Sequence, residues 1–303
     1  MKTVPDPSLY DVYESNKLSG EDRLLVMFVY SSEEEMRLLR MHPEMIQADT
    51  THGTNNSKKE LFTLASLDGN NKGFNGGRVY IPNAQKWVFS MIFKNLLPSF
   101  WGDTIVKRNN LFMTDGCASE YMSFIAQSGD GGPFCNSVLG LCYFHLVILG
   151  YKTHVACCIP KIKSLEKDIQ KVTFQLKMWV KSWFFDVESE LEYNESRRMF
   201  FQWLSNVDTR ILPLYSVAAI RTWIRANLDP YDTMWLNYLR LNVCGMNART
   251  TSVGEAMHRS MKIGYDGIKA SMSIDVSANT MMNKAKKRER SCSAIMLFKL
   301  IGI

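Results

Sequence analysis

Three short strand-like runs followed by one long amphipathic segment restrict this 303-residue chain more than any other feature. Met45 to Thr54, Leu61 to Leu67 and Arg78 to Pro82 carry the strand pattern, and Asp68-Gly69-Asn70-Asn71 between the last two is turn chemistry. This spacing predicts an antiparallel meander. From Asn83 to Trp101 the period changes, with Trp87, Val88, Met91, Ile92, Leu96 and Leu97 recurring at helical intervals and Pro98 marking the expected end. Leu111-Phe112-Met113 is a further strand that runs into Thr114-Asp115-Gly116, after which Tyr121, Phe124 and Ile125 share a helical face. Ser137 to Leu141 is a last strand-like run, leading into Cys142 and His145. Ahead of the meander, Leu24 to Tyr30 reads as a buried strand. Ser32, three residues before Glu35, has the spacing of a capping box and opens a short helix that ends near Pro43.

Three strands, helix, strand, helix, strand is the order of a ribonuclease-H-like fold. The expected class is therefore α/β (α+β), a mixed sheet flanked by helices. In that fold the acidic residues of the first and fourth of these strands lie side by side, and Asp49 and Asp115 occupy those two places. Asp115 would stand at a strand's carboxyl end, where open α/β sheets gather ligand-binding groups. Paired carboxylates repel unless protonated or bridged by cations, and Mg²⁺ or Mn²⁺ is the usual bridge. Such a pair implies a third ligand. On its own stretch, however, Asp115 reads equally well as a turn or cap residue, because Asp-Gly is ordinary turn chemistry and Ser119-Glu120 fits a helix start.

Composition narrows the class. With 46% hydrophobic residues the chain can bury one large core plus an inserted or second domain. The longest apolar run, Leu24 to Tyr30, is too short to span a bilayer, and the N-terminus lacks the apolar segment of a signal peptide. The expectation is a soluble intracellular protein that does not engage membranes. Its seven cysteines are odd in number and scattered, the pattern of reduced thiols. Residues 1–150 hold 13 basic and 16 acidic side chains, against 23 and 14 in residues 151–303. A basic half beside an acid-bearing half suits a metal site next to a polyanion, although proteins that touch no nucleic acid share such splits.

From Lys161 to about Leu241, apolar residues fall at helical intervals: first Leu165 to Trp183, then Leu191 to Leu204 and Ser216 to Leu228. An all-helical insertion is expected over 161–245. Trp179, Trp183, Trp203, Trp223 and Trp235 read as its core, since a base-stacking role needs an exposed ring. A hydroxyl-rich approach, Met246 to Ser252, then leads into a helix carrying Glu255. Glu255, Arg259 and Lys262 stand i, i+4, i+7 and share a face, which fits a site carboxylate beside two phosphate-contacting cations and fits an exposed ion pair equally.

Several pieces together carry a resemblance. Asp49-Thr50-Thr51-His52-Gly53-Thr54-Asn55, Lys59-Glu60-Leu61-Phe62 with Asn70-Asn71-Lys72, Trp87-Val88-Phe89, Thr114-Asp115, Cys142-x-x-His145 and Glu255 follow in this order and spacing. From about Leu24 to Asn283 the chain resembles the transposase domain of Mutator-like elements. The resemblance implies a DDE triad of Asp49, Asp115 and Glu255 that holds two Mg²⁺ or Mn²⁺ ions, with Cys142 and His145 as an accompanying structural pair. It also implies DNA as partner, at terminal inverted repeats, a homo-oligomer when active, and a nuclear location. Arg259 and Lys262 would contact that DNA. The implied organisation is a polar lead-in (1–23), the first part of the core (24–160), the insertion (161–245), the returning core helix (246–283) and a basic tail (284–303).

Cys142, His145, His154 and Cys157 also run C-x2-H-x8-H-x2-C, a zinc-like spacing, but Leu146 to Gly150 between them reads as core, which argues against structural zinc. Lys284 to Arg290 holds five basic residues and fits a nuclear-import signal, a phosphate-contacting arm or a solvated tail. Three functions stay open: a metal-dependent transposase, a domesticated or decayed copy that binds DNA or protein without cutting, and another ribonuclease-H-like nuclease.

Overall fold

The structure is a computed structural model that describes residues 27–52, 54–70, 72–143, 145 and 159–240, with 269, 271–273, 276–277 and 280. Glu255, Arg259, Lys262, His154, Cys157 and the basic run from Lys284 lie outside the described residues. The chain divides into two compact units, residues 1–137 with 251–303, and residues 138–250.

The first unit opens with β1 (Phe28–Tyr30) and α1 (Glu33–Met41), then the meander β2 (Met45–Thr51), β3 (Glu60–Leu67) and β4 (Gly73–Ile81). The predicted capping box is present at α1, where Ser32 accepts from the Glu35 N–H and Glu35 reaches back to the Ser32 N–H. β2 and β3 pair antiparallel, as do β3 and β4, with β1 on the far side of β4. A helical stretch follows as α2 (Lys86–Met91), a π-turn (Ile92–Leu96) and α3 (Leu97–Trp101). The expected stop at Pro98 does not occur. Pro98 sits at the start of α3, directly after the π-turn, where the wider i→i−5 bonding makes its missing N–H tolerable.

After α4 (Asp103–Arg108) the chain enters β5 (Leu111–Thr114), which runs parallel to β2, and then α5 (Ala118–Ser128) and β6 (Val138–Leu141). The sheet order is β1-β4-β3-β2-β5-β6. The core between α2, α5 and the sheet is aromatic. Phe93 meets Phe62, Phe112, Phe124 and Phe134 edge-on, and Phe112 stacks on Phe124 with centroids 4.3 Å apart. That stacking fixes which face of α5 is turned inward: Glu120, Tyr121 and Phe124 are buried, whereas Ile125 is 38% exposed and does not share the buried face predicted for it.

The second unit begins with β6 and holds α6 (Glu166–Phe185), α7 (Glu190–Asn206), α8 (Leu214–Asn227), α9 (Asp232–Trp235) and α10 (Asn237–Arg240). Trp183, Trp223 and Trp235 are buried in its core, and Trp179 and Trp203 pack against it partly exposed. The indole N–H of Trp183 donates to Ser196 and that of Trp235 to the Leu228 carbonyl, so both polar tips are satisfied inside. Among the described residues no helix is long and apolar enough to cross a membrane.

Candidate active site

Register places the two aspartates. In the parallel pair, Met45 faces Leu111, Ile46 faces Phe112 and Gln47 faces Met113. Two residues further along each chain stand Asp49 and Asp115, at the carboxyl-terminal side of neighbouring central strands. The side-chain amide of Asn109 holds this register. It donates to the carbonyls of Pro43 at 3.0 Å and Leu111 at 3.2 Å, and its oxygen accepts from Ser137 at 2.9 Å. The Asn110 and Leu111 N–H groups both donate to the Glu44 carbonyl, so the entrances of β2 and β5 are tied together.

Asp49 is 6% exposed. On the antiparallel side it faces Thr63, which in turn faces Arg78, and Gln47 shares its face of β2. Among the described residues Gln47 Oε1 and Thr63 Oγ1 are buried without hydrogen-bond partners. Beyond β2, Asn55 shapes the loop: its amide donates to the Lys59 carbonyl at 2.7 Å and its oxygen accepts from the Lys59 N–H at 3.0 Å. The Asn55 and Lys59 of the quoted motif thus build the turn that follows Asp49.

Asp115 is half-buried and follows β5 directly. Its Oδ1 accepts from the Cys117 N–H at 2.9 Å, while Gly116 takes left-handed backbone with φ at 95°. Asp115 is therefore a turn residue as well as a candidate ligand, and its second oxygen carries none of that bonding.

The third carboxylate in this region is one the sequence reading treated as part of a helix start. Glu120 lies in the first turn of α5, is fully buried, and among the described residues has no hydrogen-bond partner on either oxygen. Burial first, then the negative charge of Asp115 and, more weakly, of Asp49 push its carboxyl well above the usual carboxylate range. The Thr114 hydroxyl offsets part of this from nearby without the geometry of a made hydrogen bond. The sequence did hold a signal, since Glu120 stands four residues before Phe124 on the inward face of the helix.

Cys142 is buried just past β6 and His145 is partly exposed; both belong to the second unit. Among the described residues no three His, Cys, Asp or Glu side chains are arranged to hold a metal ion. The donors at Asp49 and Asp115 are nonetheless hard carboxylate oxygens, the chemistry that Mg²⁺ and Mn²⁺ take, and an orphaned buried carboxylate beside them fits a cation-binding region.

Residues 12–100 match the family model described as the RNaseH-like domain of zinc finger SWIM domain-containing protein 1/3. That segment spans β1 to the Phe100 end of α3 and includes Asp49. The fold is ribonuclease-H-like. The six-stranded sheet, with its meander followed by a parallel strand, agrees with that fold. No curated protein matches the chain.

Proposed function

We propose that this chain is a metal-dependent transposase domain of the DDE kind, similar to those of Mutator-like elements, which cuts and joins DNA at transposon ends. Asp49, Asp115 and Glu255 would hold two Mg²⁺ or Mn²⁺ ions. When bound, such ions activate a water or a 3′-hydroxyl and stabilise the leaving oxygen of a phosphodiester. The observation that carries this reading is the parallel register of β2 and β5, with Asp49 on β2 and Asp115 directly after β5. Arg259 and Lys262 would position the scissile phosphate, and Cys142 and His145 would serve as a structural pair. DNA is the partner, the active form a homo-oligomer, and the nucleus the place of action.

The test compares nicking of a labelled duplex in Mn²⁺ with binding of the same duplex. Asp115→Asn should lower nicking by orders of magnitude and leave binding intact or tighter, because a negative charge facing phosphate is removed. Equal nicking by variant and parent would remove Asp115 from the chemistry. Binding without nicking by the parent, in every divalent metal tried, would favour a domesticated copy that does not cut.

A further inference from the structure

Two buried glutamates of this chain occupy the same helical position and have opposite surroundings. Glu35 is the third residue of α1 and Glu120 the third of α5. Glu35 is fully engaged: it accepts from Ser31, from the Ser32 N–H, and from Arg78 through two nitrogens. Glu120, 0% exposed, has no made hydrogen bond among the described residues. The usual role for a glutamate there is to bond the N–H of the capping residue. At α5 that residue is Cys117, and its N–H is already taken by Asp115 Oδ1. Asp115 therefore relieves Glu120 of its structural duty, and leaves a buried carboxylate within reach of the charges of both aspartates.

An ionised carboxylate buried without cation or donor is costly, so burial and the neighbouring aspartates favour its protonated form unless something else supplies charge and donors. The Thr114 hydroxyl stands nearby without a made hydrogen bond, and among the described residues the charges that act on Glu120 are those of two more acids. A hydrated divalent cation would supply both what is missing, positive charge and O–H donors. We propose that Glu120 is a further carboxylate of the divalent-cation site, accepting hydrogen bonds from water carried by an ion held at Asp49 and Asp115. The inference rests on the metal-binding part of the function proposed above. Glu120 acts here as a positioning residue for the ion's water and not as a direct ligand, in keeping with the lack of a three-residue ligand cluster among the described residues.

The test uses the full chain and Mn²⁺ alone, followed by water-proton relaxation and by thermal melting, for the parent, Glu120→Gln and Asp115→Asn. The parent should bind Mn²⁺ and melt higher with it, and Asp115→Asn should lose both effects. Glu120→Gln keeps the shape and removes the charge. It should melt no lower than the parent without metal, bind Mn²⁺ about 10- to 100-fold more weakly, the range known for groups that hold a metal's ligands in place, and show altered relaxation by the bound ion's water. Mn²⁺ binding by Glu120→Gln equal to the parent's, with binding lost in Asp115→Asn, would overturn the role of Glu120 and leave the metal site standing. No Mn²⁺ binding by the parent would overturn both. If Glu120→Gln fails to fold, Glu120→Asp takes its place, where unchanged affinity overturns the inference and weakened affinity supports it.

Discussion

Replacing Asn109 with alanine should loosen the strand pair that carries both aspartates. Asn109 is fully buried, and its side chain makes three well-formed hydrogen bonds, to Pro43, Leu111 and Ser137, with a longer approach of 3.4 Å to the Glu44 carbonyl. Each bond contributes about 1 kcal/mol net, so Asn109→Ala should cost about 3 kcal/mol, and the carbonyls it abandons inside the protein keep the figure from being smaller. Ser137→Ala removes only the Ser137 hydroxyl's bonds to Asn109 and should cost about 1 kcal/mol. Native-state hydrogen exchange reads this locally. Amides of β2 and β5 should exchange about a hundredfold faster in Asn109→Ala, since each 1.4 kcal/mol corresponds to roughly a factor of ten, and about fivefold faster in Ser137→Ala. Exchange within a factor of two of the parent in Asn109→Ala would refute the claim that this side chain holds the register.

Glu35→Gln should destabilise the first unit by about 3–5 kcal/mol at neutral pH, because it leaves Arg78 as a buried cation without its carboxylate. Burial alone would raise the Glu35 carboxyl, but Arg78 and the Ser32 and Ser31 bonds outweigh it and hold it below the usual range. Its contribution is therefore present above the unfolded-state value of about 4.3 and is lost as pH falls through the lower folded-state value, so acid melts should show a shallower limb in Glu35→Gln than in the parent. Gly116→Ala meets no neighbouring atom, yet its φ of 95° is strained for any side chain, so a loss of about 1–2 kcal/mol is expected in chemical melts. An unchanged or raised midpoint would show that the Asp115 turn does not require glycine.

Much of the first unit was readable from the residues. The meander, the capping box at Ser32 and Glu35, the long segment after Asn83 and the strand ending at Asp115 each follow a local period or cap that tertiary packing did not override. The mixed sheet and ribonuclease-H-like fold followed from their order. Where the reading departed, the cause lay in contacts between distant residues. Pro98 did not end its helix because a π-turn precedes it, a hydrogen-bonding change that leaves no mark in hydrophobic spacing. Ile125 turned outward because the stacking of Phe124 on Phe112 chose a different inward face for α5. Glu120 escaped notice because its significance rests on a hydrogen bond it does not make, displaced by Asp115. The pairing of Asp49 with Asp115 was readable as strand order, while the side chain that enforces it, Asn109, carries no motif of its own.

The most direct test of the central claim is a calorimetric Mn²⁺ titration of four forms of the full chain: parent, Asp49→Asn, Asp115→Asn and the double variant. If the two aspartates share one site, each single change should remove most of the Mn²⁺ affinity and the double change should remove little more, the strong coupling expected of neighbours acting together. Parent-like binding in either single variant, or losses that simply add in the double variant, would contradict a shared site at Asp49 and Asp115.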